Sequence, residues 1–113
     1  MSEAIPAPPL PRVEITEIEA NVYSGTELRI DIRGENFDAV TGYLPETGAF
    51  TGQVIVNGVD KDDQDFHRDG DVWRCEGLTS SFGEEVKVIL TPVPERTDID
   101  PTPAEATAQV MEP

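Results

Sequence analysis

The sequence predicts an all-β domain, a single sandwich of six or seven short strands, and three observations carry that expectation. Residues 24–37, SGTELRIDIRGENF, alternate strictly: Leu28, Ile30 and Ile32 fall on one face, Arg29, Asp31 and Arg33 on the other. Period-2 patterning makes a strand with one buried and one wet face. Similar runs recur along the chain, separated by turn chemistry at the spacing of a sandwich. No segment reads as a long amphipathic helix, and 113 residues leave room for one ordinary domain.

Residues 1–12 hold Pro6, Pro8, Pro9 and Pro11 and predict an extended proline-rich arm, because closely spaced prolines forbid a helix; it is either a disordered leader or an arm laid along a neighbouring subunit. The sandwich is expected over 13–111. Residues 13–19 begin in alternation and then slip phase, with Ile15 and Ile18 as anchors; a slip of this kind predicts a bulge or a strand that changes sheets. After the strand at 27–33, residues 38–52 lose periodicity between Gly42, Pro45, Gly48 and Gly52 and are expected as a long loop carrying Tyr43, Leu44 and Phe50. Those three apolar side chains either fold back on the core or meet a partner.

Residues 53–57 resume as strand and run into Asn57-Gly58, a strong hairpin dipeptide. Residues 60–71 are expected to be acidic and irregular, closed by Asp69-Gly70. Residues 72–76 set Trp73 and Cys75 on one face of a strand, residues 78–84 form a turn, and 85–91 point Val86, Val88 and Leu90 inward. Pro92 and Pro94 end that strand, and a connection rich in proline and aspartate follows. In the last segment Thr102, Pro103 and Glu105 resemble a helix start, whereas Ala106, Ala108 and Val110 alternate as a strand. The pattern of the whole chain favours strand.

Asp plus Glu number 23 against 8 Lys plus Arg, a formal charge of −15. Such a surface repels nucleic-acid phosphates and anionic membranes, so neither is an expected partner. The N-terminal stretch lacks the basic and apolar regions of a signal peptide, so synthesis and assembly in a cytoplasm are expected. The nearest approach to a metal site is the series Asp65, His67, Asp69, Gly70 and, further on, Glu76, close to a calcium-loop spacing. His67 is a poor ligand for a hard cation and the following residues read as strand, so the expected reading is a solvated acidic loop with no cofactor. His67 is the only histidine, and Cys75 shares the inward parity of Trp73, so no catalytic set can be assembled and no enzyme is expected.

Several of these residues together resemble the immunoglobulin-like IPT/TIG domains. Ile15 and Ile18 match the family's opening isoleucines, Gly25-Thr26 its turn, and Leu28, Ile30 and Ile32 its alternating strand. Gly34, Asn36 and Phe37 match the Gly-x-Asn-Phe element, and Val54, Val56 and Gly58 the next strand and turn. The 38–52 insertion and the missing proline after Ile18 depart from the pattern. The resemblance implies an immunoglobulin-like β-sandwich that binds or assembles and brings no catalytic residues. A lone module of this type, without a secretion signal and flanked by proline-rich ends, leads to the expectation of a capsid decoration or accessory virion subunit of a tailed bacteriophage. Its partners would be the major capsid protein or other virion subunits, with a homo-oligomer on the particle as an option. The expected contacts are Ile5, Pro8, Pro9 and Leu10 of the arm with Tyr43, Leu44 and Phe50. The alternative is a carbohydrate- or host-surface-binding module using Tyr23, Tyr43 and Trp73.

Overall fold

The computed structural model describes residues 9–23, 26–40 and 49–111. Its seven strands are β1 (Glu14–Tyr23), β2 (Glu27–Glu35), β3 (Ala49–Val56), β4 (Val59–Asp69), β5 (Val72–Thr79), β6 (Glu85–Leu90) and β7 (Ala104–Met111). They follow one another around the structure as β1-β2-β5-β4-β3-β6-β7 and close into a barrel. The all-β expectation therefore holds, while two separate sheets give way to one closed barrel. Two short seams make the closure. β1 and β7 pair in parallel only at Ala20↔Val110 and Asn21↔Met111. At the other seam only His67, Arg68 and Asp69 of β4 reach β5.

The alternation at 27–33 works as the pattern requires. Leu28, Ile30 and Ile32 are fully buried, as are Val54 on β3 and Val86, Val88 and Leu90 on β6. The phase slip in β1 is a bulge between Ile15 and Glu17, where the Thr16 hydroxyl donates to the Arg33 carbonyl. Beyond the slip β1 runs on to Tyr23 with Ala20 and Val22 inward. Asn57 and Gly58 both take positive φ, 51° and 80°, as a two-residue hairpin turn of the primed kind needs.

The Gly-x-Asn-Phe element acquires a physical reason for each residue. A Cβ on Gly34 would fall on the Glu14 carbonyl oxygen and 2.6 Å from the Phe37 ring, so the bulged β1 can lie close only over glycine. Asn36 sits in the left-handed region (φ 63°, ψ 29°), and its side-chain amide donates to the Arg12 carbonyl at 2.7 Å. The chain then turns through a short 3-10 helix, Phe37–Ala39, which drives Phe37 into the core. There Phe37 lies 5.2 Å from Phe50 and 6.2 Å from Trp73, and Phe50 stacks on Phe66 at 5.4 Å, ring centre to ring centre.

Two expectations are corrected. Residues 49–52 are strand rather than loop, and Phe50 is a core residue, not a partner contact. Residues 60–69 are not irregular: they lie in the 11-residue β4. Phe66 is the only buried residue of β4, so backbone pairing with β3, not an apolar face, makes it a strand. The last segment is the strand that the whole-chain pattern favours: it is β7, and Ala104 to Gln109 fill the ladder along β6. Of the arm, residues 9–12 are exposed and irregular; the rest lies outside the described residues.

Candidate functional site

Register brings the charged side chains of β1, β2 and β5 into rows on the outer face of the barrel. Glu17 stands opposite Arg33; Glu19 stands opposite Asp31, which in turn faces Arg74. The β4–β5 hairpin adds Asp69 and Asp71 from the side, and a groove of about 300 Å³ runs between them. Five carboxylates and two guanidiniums line it, so its field is negative.

Both guanidiniums are held by carboxylates of the same face. Arg74 grips Asp31 in a two-pronged pair, Nε to Oδ1 at 2.7 Å and Nη2 to Oδ2 at 3.3 Å, and bonds Asp69 through Nη1. Arg33 donates to Glu17 at 2.5 Å and to Asp71 at 3.3 Å. The consequence for proton affinity has one direction. The hydrogen bond to Glu17, then Asp71, raises Arg33; the bond to Asp31 raises Arg74; and Arg33 lowers Asp71. Each shift fixes an existing charge more firmly, the opposite of what a group exchanging protons near neutrality requires. The face can therefore attract cations and clamp strands together, and it is poorly suited to acid–base chemistry.

A second clamp fastens the pole where β2 ends and β7 begins. Arg96 bonds Asp98 through Nε at 2.8 Å and Nη2 at 3.0 Å, and reaches Asp38 with Nη1 at 3.1 Å. The Val93 amide donates to the Ala39 carbonyl, and the Asp100 amide to the Pro11 carbonyl. The end of the arm is thus tied to this pole. Pro9 and Leu10 are exposed just before that tie, Leu10 at 47%. Ile5, Pro8, Tyr43 and Leu44 lie outside the described residues.

The acidic series does not form a cation loop. Asp65, His67 and Asp69 project from one side of β4, Gly70 makes the turn, and Glu76 stands on β5, so the segment is an extended hairpin that encircles no point. His67 Nε2 lies 3.7 Å from Glu76 Oε1, and Asp69 belongs to Arg74. Cys75 is buried, and its thiol is pushed up to about 12, first by burial and then by Asp65 and Glu76. Two of the three aromatic platforms expected of a sugar-binding face, Tyr23 and Trp73, are also engaged. Trp73 is buried with its ring 4.7 Å from Phe50, and the Arg29 guanidinium lies 4.4 Å over the Tyr23 ring.

One exposed aromatic escaped sequence reasoning. Phe82 stands in the β5–β6 turn, and the only signal was a large apolar residue just before Gly83 among polar neighbours. Set against known proteins, the chain matches no family model, and neither the curated proteins nor the solved structures provide a match.

Proposed function

We propose that the protein is a non-catalytic interaction module with an immunoglobulin-like sandwich, serving as a decoration-type accessory subunit of a tailed-bacteriophage virion. The observation that carries the fold half of this reading is strand order. The two brief seams, β1–β7 and β4–β5, part the barrel into β1-β2-β5 and β4-β3-β6-β7, the immunoglobulin constant-type order of ABED and CFG except that the fourth strand pairs chiefly with the third. The groove supports the functional half, since its ion pairs bind strand to strand and leave a negative field outside. The proline-rich arm, whose last residues leave the clamped pole, is the anchor in this reading, and the acidic barrel projects from the particle surface. Fold alone does not assign a partner. The test is to mix purified protein with empty capsids of the phage that carries the gene, then to measure co-sedimentation and the temperature at which the capsids rupture. Saturable binding with a raised rupture temperature is expected. A protein that neither sediments with capsids nor changes their rupture temperature is not a decoration subunit.

A further inference from the structure

The seam between β4 and β5 ends at His67↔Arg74, and beyond that pair both strands bend. On β4, Lys61 and Asp62 together stand against Val54, a bulge at which Asp62 takes φ 61°. On β5, Glu76 and Gly77 together stand against Arg29, with Gly77 at φ 93°. A bulge bends its strand and steepens the local twist, so the two strands part and leave a gap.

Parting leaves main-chain groups of β4 with no strand beside them. Asp69↔Val72 closes a two-residue turn and is therefore a bonded pair, and the alternation of an antiparallel ladder makes His67↔Arg74 the next. The His67 main chain thus points at β5. By the same alternation the N–H and C=O of Asp65 and Asp63 point that way too, where no described strand answers them. The other edge of β4 is taken up by β3. Asp63 and Asp65 are exposed, on the face opposite Phe66, and neither carboxylate has a hydrogen bond or ion pair among the described residues.

We infer that the free edge of β4 accepts an extended segment of another protein with lysine or arginine at alternate positions, which adds to the sheet in the track that β5 leaves. In strand addition the main-chain bonds supply the attraction and the alternate side chains the selection. The selection here is by charge. Along this edge Asp60, Asp62, Asp63 and Asp65 stand with one cation, Lys61, which is half-buried and lines a separate groove with Val56 and Ser80. Lys87 lies beyond β3, and Arg29 lies beyond β5, over the Tyr23 ring. A cation opposite Asp63 or Asp65 makes a favourable cross-strand pair, and a spacing of two residues places one at each. A second copy of this edge would set aspartate against aspartate, the device by which charged edge strands keep copies apart. The strip is narrow, so the complex is weak and reversible. The inference makes no use of the arm and stands without the anchoring role proposed for it.

The probe is a short peptide of alternating lysine and threonine. One control has glutamate for lysine; another keeps the lysines but carries a methyl on every peptide nitrogen, which removes the main-chain donors. Each is titrated at low salt into isotopically labelled protein while amide resonances and amide hydrogen exchange are followed. Shifts centred on Asp63 and Asp65 are expected, with exchange of those two amides slowed about tenfold at saturation, and no response to either control. Asp63→Lys combined with Asp65→Lys should keep the melting temperature, since both side chains are exposed and unpaired. It should bind the lysine peptide about tenfold more weakly and take up the glutamate peptide instead. If the double variant melts lower, the methylated control on the parent protein decides. The inference is overturned if the lysine peptide does not bind, or if its shifts map to the Glu17–Asp71 groove or spread over the acidic surface. It is equally overturned if the methylated peptide binds as tightly, or if the folded double variant still prefers lysine. A concentration-dependent dimer whose contact maps to β4 would overturn it by giving the edge to a second copy.

Discussion

Replacing Gly34 by alanine tests the closest approach in the fold. Gly34 does not take positive φ, so alanine brings no backbone strain and the effect is one of space alone. The added Cβ would meet the Glu14 carbonyl oxygen well inside the 3.0 Å that real contacts keep, and the Phe37 ring at 2.6 and 2.8 Å. The obstacle on one side is backbone, which cannot rotate away. β1 must retreat by about an ångström at its bulge, weakening one or two ladder bonds worth about 0.5–1.5 kcal/mol each. Phe37 must shift against Phe50 and Trp73, and overpacking of that kind costs about 1–3 kcal/mol. Together these give roughly 2–4 kcal/mol, or about 8–16 °C in Tm for a domain of this size. Gly52→Ala is the internal comparison, because its Cβ meets the end of the Leu90 side chain at 2.5 Å and the Phe66 ring at 3.3 Å. Leu90 can change rotamer, so the loss should be smaller. Thermal melts of both variants by circular dichroism decide the matter. If Gly34→Ala melts within 2 °C of the parent, or above Gly52→Ala, the close-approach account is wrong.

Three further outcomes follow from the ion pairs and the core. Arg74→Met leaves the Asp31 carboxylate, only 17% exposed, without its two-pronged partner and should cost about 1–3 kcal/mol in urea unfolding. Adding Asp31→Asn to that variant should recover part of the loss, and additive losses would mean the pair carries no coupling. The Asp98 carboxyl is held below its ordinary 3.8 by the hydrogen bonds from Arg96, so its stabilising effect is complete above about pH 4 and fades as pH falls through the lower folded value. The Tm advantage of the parent over Asp98→Asn should accordingly be present at pH 6 and shrink as the pH is lowered below 3.8; an advantage that does not shrink with acid refutes the coupling. Cys75, buried with its thiol pushed up to about 12, should stay silent toward a thiol-specific disulfide reagent at pH 8 until denaturant is added. Immediate stoichiometric reaction of the folded protein would place the thiol outside the core.

The parts of the fold that could be read from the residues are those where one side chain carries the signal. Leu28, Ile30 and Ile32 announce a buried face by parity, and Asn57-Gly58 announces a turn by its need for positive φ. β4 gave no such signal, because a strand held by main-chain bonds to β3, with both faces largely wet, has no periodic apolar pattern. Phe50 was misplaced for a related reason: Gly48 and Gly52 around it read as loop punctuation, whereas Gly52 is buried under Phe66 and Leu90. The charged groove was invisible until register was known. Arg74 and Asp31 are 43 residues apart, and only the pairing of β2 with β5 sets them side by side. Barrel closure was likewise out of reach, since it depends on seams of two and three residue pairs.

The parallel seam between the first and last strands has a mechanical meaning. β1 begins at the clamped pole and β7 ends at the opposite one, and the two run side by side in the same direction. Tension applied between the start of β1 and the end of β7 draws these strands past each other along their length. The bonds around Ala20, Asn21, Val110 and Met111 then bear load together, in shear, instead of opening one after another like a zip. The same pull loads the antiparallel β1–β2 and β6–β7 ladders in line with their strands. A barrel pulled between its two poles would be stretched along the direction in which its ladders resist best.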